Sequence, residues 1–320
     1  MVNLGMYLKD TLVREKNKME RKKLINGVEV PAVCYGSPIV LTYMFGHHNK
    51  AFKYQYWMKN AIQNNSQFRK DISLKKILRE GMKCGFTMVD TSRAYAGSEK
   101  MIGETYSNYE RSQYQICTKL CNYHQFHDNV EEGLDTSLKV LGLDYVDLYL
   151  MHWPVMGKYL ASWKEMERLY KKGKCKAIGV CNCNIHHLKA IEEVAEIMPM
   201  VNQIECHPLF TQNELREYCL EKKIQIMAYT STARGDDRLK KTVLDDIGKR
   251  YKKSITQIIL RWHFQLGNIP IVNTSSVKHL KENADIFNFS LTEDEMRKIA
   301  DININSRLRS DSDNVDFTNI

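Results

Sequence analysis

The sequence predicts a closed (β/α)8 barrel, and three observations carry that expectation. A short β-branched run followed by a longer apolar-periodic stretch recurs at intervals of about 25–35 residues, which is the signature of βα repetition. Eight such units can be counted, and a barrel absorbs eight parallel strands without leaving an edge. No glycine-rich dinucleotide turn follows the first strand, as a doubly wound sheet would require.

The units follow in order. PAVCYGS (31–37) reads as the first strand, and SLKKILREGMKCG (73–85) as its helix. FTMVD (86–90), QICTK (115–119) and DYVDLYLMH (144–152) follow, with helical patterns at 98–107, 128–141 and 162–172. KAIGVCN (176–182), NQIECH (202–207), QIMAYTS (225–231) and NIPIVN (268–273) complete the set, with helices at 186–197, 211–222, 254–266 and 276–287. Upstream, Asn26-Gly27 in KKLINGVEV is a strong hairpin signal, expected to form a plug over the amino-terminal mouth. Residues 1–23 read as a flexible basic extension, and 24–320 as a single barrel domain ending in the polar, loop-like SRLRSDSDNVDFTNI. The stretch 40–70 is a long insertion between first strand and first helix, rich in aromatic and basic residues, and reads as a lid or as a disordered excursion.

Composition narrows the function class. Of 320 residues 43% are apolar, enough for one large core, and 47 basic against 38 acidic side chains give a net charge of +9. That excess lies entirely in 1–23 and 40–70, so the barrel units are neutral and no nucleic-acid face is expected. No run approaches the roughly 20 apolar residues of a membrane span, and the start lacks a signal-peptide pattern, so a cytoplasmic protein is expected. Nine scattered cysteines argue against a disulfide framework; Cys181 and Cys183 lack a Cys-x2-Cys partner, and no metal site is expected.

In a barrel the chemistry sits at the carboxyl ends of the strands. Asp90 ends the second strand, Lys119 the third and His152 the fourth, and Tyr95 follows Asp90 by five residues. Any one of them has a bland explanation as a cap, a solvated end or a packed ring. Four polar or titratable groups on consecutive strand ends point to a catalytic cluster. A sugar-hydrolysing barrel would need two carboxylates across the pocket, with Glu205 the weaker partner to Asp90.

From LINGVEVPAVCYGS onward the chain resembles the aldo-keto reductase family, closest in appearance to its prostaglandin F synthase and 2,5-diketo-D-gluconate reductase branch. VDTSRAYAGSEKMIGE is similar to the segment with the catalytic Asp and Tyr, QICTKL to that with the Lys, and DYVDLYLMHWP to that with the His. GVCNCNIHHL, VNQIECHPLF and ILRWHFQLGNIPIVNTSS continue the likeness in order. The resemblance implies reduction of an aldehyde or ketone by NADPH or NADH, with Tyr95 as general acid, Lys119 lowering the phenol pKa, Asp90 holding the lysine and His152 on the substrate oxygen. It further implies that Cys181, Asn182, Gln203 and Tyr229 hold the nicotinamide, and that Asn273, Thr274, His279, Glu282 and Asn283 line the adenosine end. Asn273 and His279 stand where the family commonly has the Lys and Arg of its 2′-phosphate site, so preference for NADPH is expected to weaken. Trp153 and Cys121 are the expected substrate contacts. A small-molecule carbonyl partner and a monomer are implied, and the alternative is a cofactor-binding regulatory protein without turnover.

Overall fold

The computed structural model describes residues 19–40 and 65–315, with side chains from residue 74 in the first helix. Its strands are β1 (Arg21–Lys23), β2 (Glu29–Pro31), β3 (Cys34–Gly36), β4 (Met88–Asp90), β5 (Gln115–Leu120), β6 (Leu148–Met151), β7 (Ile178–Cys181), β8 (Val201–Glu205), β9 (Gln225–Tyr229) and β10 (Ile269–Val272). The helices are α1 (Asn65–Lys83), α2 (Ser98–Tyr106), α3 (Asn122–Phe126), α4 (Val130–Leu141), α5 (Tyr159–Lys171) and α6 (Ile185–Glu192). They continue with α7 (Asn213–Glu221), α8 (Val243–Tyr251), α9 (Ile255–Gln265), α10 (Val277–Ala284) and α11 (Glu293–Ala300).

Strands β3 to β10 pair in parallel and close on themselves, β10 returning to β3, which is the predicted eight-stranded barrel. Each barrel strand is wrapped by helices outside and packed side chains inside. That is why LYLM in β6 and IGVC in β7 are apolar or small throughout rather than alternating, and buried at every position. Helix α4 shows the complementary pattern: Val130, Leu134, Leu138 and Leu141 share one buried stripe, and Gly142 ends the helix in the left-handed region at φ 70°.

The hairpin forms as its Asn-Gly turn requires, with Gly27 at φ 88° and Arg21 opposite Pro31. It caps the amino-terminal mouth. Arg21 donates to the side chain of Gln115, the first residue of β5, at 3.0 Å, and Asn26 donates to the Lys176 carbonyl just before β7 at 2.9 Å. Strand pairing thus begins inside the stretch assigned to the basic extension, and Met19 is already buried. Residues 1–18 and 41–64, which hold most of the extension and of the insertion, lie outside the described residues; the last part of the insertion, from Asn65, is helical.

Two further differences have local causes. The helix expected over 186–197 stops at Glu192, because the Ile197 backbone is drawn toward α5: its amide donates to Glu167 at 2.6 Å and its carbonyl accepts from Trp163 at 3.1 Å. Helices α8 and α11 were not expected. They pack with α9 into a second apolar cluster of Leu244, Ile247, Trp262 and Ile299, which also takes in Ala233 and Leu239 from the loop after β9. Glu295 of α11 ties them together by accepting from Arg250 at 2.7 Å and Tyr251 at 2.8 Å. Among the described residues, no helix is long and apolar enough to cross a membrane.

Candidate active site

The carboxyl ends of the strands open into one cavity of about 1110 Å³. Asp90, Tyr95, His152, Asn182, Gln203 and Tyr229 line it, together with Asn273, Thr274, His279, Glu282 and Asn283 from the end of β10 and from α10. Residues that the sequence places on six separate strand ends are thereby joined in one continuous wall. The two carboxylates that a sugar-hydrolysing barrel would need do not face each other there: Asp90 lines the cavity, but Glu205 is buried, is not among the lining residues and spends both oxygens on backbone amides, as described below.

Lys119 lies beneath the cavity floor, 1% exposed. Its ammonium donates to both carboxylate oxygens of Asp90 and to the Thr91 carbonyl, each at 2.8 Å, so all three donors are used. Burial is the largest influence on its titration and acts to lower it, but Asp90 and the neighbouring Tyr95 more than offset that, and the ammonium is held well above the ordinary lysine range. Gln203 donates to Asp90 Oδ1 at 2.8 Å, which ties β8 to the same ion pair.

Tyr95 sits in the loop after β4, its ring centroid 5.3 Å from Lys119 Nζ and 5.8 Å from the His152 ring, which meets it edge-on. Lys119 is the largest single influence on the phenol and lowers it, yet burial and Asp90 together outweigh that and carry it above its ordinary value. Lys119 thus pulls the phenol down in the expected direction, and it is burial first and Asp90 second that turn the net shift upward. His152 is lowered to about 3, first by burial and then by the Lys119 charge, so its ring is neutral.

Asn182 adopts a left-handed backbone at φ 59°, which asparagine tolerates better than most residues. It links four strand ends: its amide donates to the Gln203 carbonyl at 2.9 Å, its side chain donates to the His152 carbonyl at 3.0 Å, and it accepts from the Tyr229 hydroxyl at 2.7 Å. Cys181, one residue earlier, is buried and lies off the cavity wall, and burial pushes its thiol up. Trp153 lines the cavity as expected; Cys121 caps α3 and is not among the lining residues.

Just after β10 the Asn273 side chain is occupied, donating to the Gly36 carbonyl at 2.7 Å. The Thr274 hydroxyl accepts from the Ser276 amide at 3.1 Å. Lys278 lies 3.8 Å from Glu282, and Lys281 is close enough to Glu80 on α1 and to Cys84 just after it to influence both; neither lysine lines the cavity.

Several wall residues were not singled out individually from the sequence, although the stretches with Arg234 and Arg309 share in the family likeness. Arg234 follows β9, Ser254 and Thr256 precede or open α9, and Arg309 and Ser310 belong to the polar carboxyl-terminal stretch. That stretch is a strap anchored twice. Buried Glu205 accepts the amides of Leu308 at 2.7 Å and Arg309 at 3.0 Å, and also pairs with His207 at 3.0 Å. Beyond the cavity, Asn184 donates to Asp313 at 2.8 Å and His186 lies 3.2 Å from the same carboxylate. His187 completes a cluster whose ligand atoms lie within 4.8 Å of one another. Its Nδ1 accepts from the Asn184 amide at 3.1 Å, so the neutral ring carries its hydrogen on Nε2, facing Asp313, and the cluster is an anchor rather than a set of open lone pairs.

The cavity suits an extended nucleotide cofactor: a phenol face, two carboxamides and further hydroxyl and amide groups line it. Comparison with known proteins agrees. Residues 59–304 match the aldo/keto reductase family. Glyoxal reductase of Bacillus subtilis is 39% identical over 241 residues, 75% of this chain and 87% of that protein. The 9,11-endoperoxide prostaglandin H2 reductase of Trypanosoma cruzi is 37% identical, over 74% of this chain and 85% of that one. MGS-M4, an aldo-keto reductase from a deep-sea metagenome library, superimposes with a TM-score of 0.79 at 32% identity, over 92% of this chain and 99% of its own. With fold, cavity and sequence in agreement, the chain belongs to the aldo/keto reductase family and is an NAD(P)H-dependent oxidoreductase of that type, close to the glyoxal and prostaglandin reductase branches.

Proposed function

We propose that the protein reduces the carbonyl of a small aldehyde or ketone to an alcohol, with Tyr95 as the proton donor and NADH accepted at least as readily as NADPH. The observation that carries this reading is the stack of Asp90, Lys119 and Tyr95 beneath a cavity that His152 also faces. When bound, the nicotinamide supplies the hydride. The oxygen of the carbonyl then gathers negative charge, and the protein's task is to neutralise it.

Tyr95 is suited to that task because its phenol keeps its proton until the acceptor oxygen becomes strongly basic. The phenolate left behind faces a fixed ammonium, and Asp90 keeps that ammonium charged and immobile. His152, neutral, donates a hydrogen bond to the same oxygen without competing as an acid. Asn182, Gln203 and Tyr229 would hold the nicotinamide. The kinship with glyoxal reductase favours a small, reactive aldehyde as substrate.

The cofactor preference follows from charge. Asn273 is spent on Gly36, His279 stands in place of an arginine, and Lys278 and Lys281 are off the cavity wall, so the 2′-phosphate of NADPH gains no fixed cation there. The test is turnover of glyoxal and methylglyoxal followed at 340 nm with each cofactor, in wild type and Tyr95→Phe. We expect wild-type turnover, and a loss of at least about a hundredfold in the variant with cofactor binding retained. Cofactor binding without any wild-type turnover would replace this reading with that of a regulatory protein.

A further inference from the structure

We propose that Arg238 links two walls of the cavity, so that a nicotinamide nucleotide bound against the loop after β9 tightens the carboxyl-terminal strap. The inference rests on the cofactor part of the reductase reading and goes beyond it, because it gives a positioning role to a residue that is not on the cavity wall. The loop contributes Thr230, Ser231, Thr232, Arg234 and Gly235 to that wall, and the strap contributes Arg309 and Ser310.

Arg238 joins the two stretches directly. Its Nε and Nη2 donate to the two carboxylate oxygens of Asp236 at 2.9 and 2.8 Å, and its amide donates to the same side chain at 2.9 Å. This fork leaves Nη1, which donates to Ser306 Oγ at 2.8 Å. A planar guanidinium with two arms fixed on a carboxylate has its third direction set, so the bond to Ser306 passes a shift of the loop on to the strap. The Arg238 hydrogen bonds are the main cause that holds the Asp236 carboxyl at about 2, so the fork stays charged at neutral pH. Ser306 is well placed to pass the constraint on. Its amide donates to the Leu209 carbonyl at 2.9 Å, and two and three residues later the amides of Leu308 and Arg309 reach Glu205.

A second contact runs beside the first, because Leu239 from the loop and Leu308 from the strap pack in the same apolar cluster as Leu209. The loop itself is strained. Thr230, Ala233 and Arg234 all have left-handed backbone, at φ 52°, 47° and 57°, and none of them is a residue that favours it. Such a conformation persists where its surroundings impose it, and the Asp236 fork together with the burial of Ala233 and Leu239 does so here. A ligand pressed on the loop stabilises that same conformation and, through Arg238, the strap. By reciprocity, whatever tightens the strap raises the affinity for the nucleotide by an equal factor.

The test is hydrogen exchange read by mass spectrometry on the full chain, in wild type, Arg238→Ala, Ser306→Ala and the double variant, each alone and with saturating NADH or NADPH. In wild type we expect the nucleotide to slow exchange at least about fivefold in peptides from the loop (230–240) and from the strap (303–313) alike. In either single variant the loop still responds and the strap does not, and the double variant loses no more than a single one. KM for methylglyoxal at saturating nucleotide rises at least about fivefold in the variants while kcat stays within about twofold, since Tyr95, Lys119, Asp90 and His152 are not on the strap. A strap that responds equally in wild type and Arg238→Ala, or not at all in wild type, would overturn the inference while leaving the reductase reading intact. Loss of the loop response along with the strap response in Arg238→Ala would make Arg238 part of the cofactor site and also overturn it. Failure of wild type to bind either nucleotide would bring down both readings, whereas a strap response through Arg238 without carbonyl turnover would support the inference and remove the reductase reading alone.

Discussion

Ser92 Oγ lies 3.2 Å from Nδ1 of His152. The serine oxygen also accepts the Ala94 amide at 3.1 Å. The tautomer that fits the proposed role of His152 has the serine hydroxyl donating to Nδ1 and the ring hydrogen on Nε2, so that the neutral ring presents a donor. Replacing Ser92 by Ala removes the group that selects this tautomer. We expect kcat for aldehyde reduction to fall about tenfold, the cost of one misdirected hydrogen bond of roughly 1.4 kcal/mol, with KM for the cofactor unchanged. Steady-state kinetics of Ser92→Ala check this, and an unaltered kcat would remove Ser92 from the positioning of His152.

The adenosine end offers a gain-of-function test. His279→Arg restores a permanent charge beside the cavity without disturbing a side-chain bond seen in the structure, because only the amide of residue 279 is engaged, with Ser276. A charge-assisted hydrogen bond to phosphate contributes about 1.5–3 kcal/mol, so NADPH is expected to gain at least about tenfold over NADH. Titration of intrinsic fluorescence with both cofactors measures the ratio. Asn273→Lys is expected to behave less simply, since it also breaks the bond to the Gly36 carbonyl and lowers Tm by a few degrees.

Acid should weaken the fold through His263. This buried ring donates from Nε2 to the Ser231 carbonyl at 3.0 Å and contacts Asn268 through Nδ1 at 3.2 Å, both suited to the neutral form. Burial, the largest influence, lowers it to about 3 from an ordinary value of 6.5. The folded state therefore binds the proton less readily than the unfolded chain. The stability this provides is fully present above pH 6.5 and is lost as pH falls toward 3, at about 1.4 kcal/mol per pH unit once the unfolded ring is protonated. Urea unfolding of wild type and His263→Gln between pH 7 and 4.5 should show a slope shallower by about that amount in the variant.

The four candidate residues at the cavity were legible because strand ends are legible: an apolar run that reaches a polar group at or next to its end, as at Asp90, Lys119 and His152, declares where the barrel opens. The direction of the Tyr95 shift was not, since it depends on how deeply the phenol is buried and on how near Asp90 sits to it as well as to the lysine. Helix α11 was announced by the Thr292 and Glu295 capping box, a signal that the βα count passed over because the eight units were already filled. Arg309 was not singled out. Its stretch is short of apolar residues, and only a buried carboxylate 104 positions earlier in the chain gives it a place. Cys121 shows the limit of sequence proximity: it follows Lys119 by two residues, but it sits at the N-cap of α3 and is not among the cavity-lining residues.

The hairpin and the strap lie at opposite poles of the barrel. Met19 and β1 leave the barrel at its amino-terminal mouth, the pole opposite the cavity, whereas Asp313 anchors the last described turn within a few residues of Arg309 and Ser310. A reporter or affinity handle fused directly to the hairpin at Met19 therefore starts at the pole away from the cavity, whereas one fused directly after Asp313 is expected to load the strap beside the entrance.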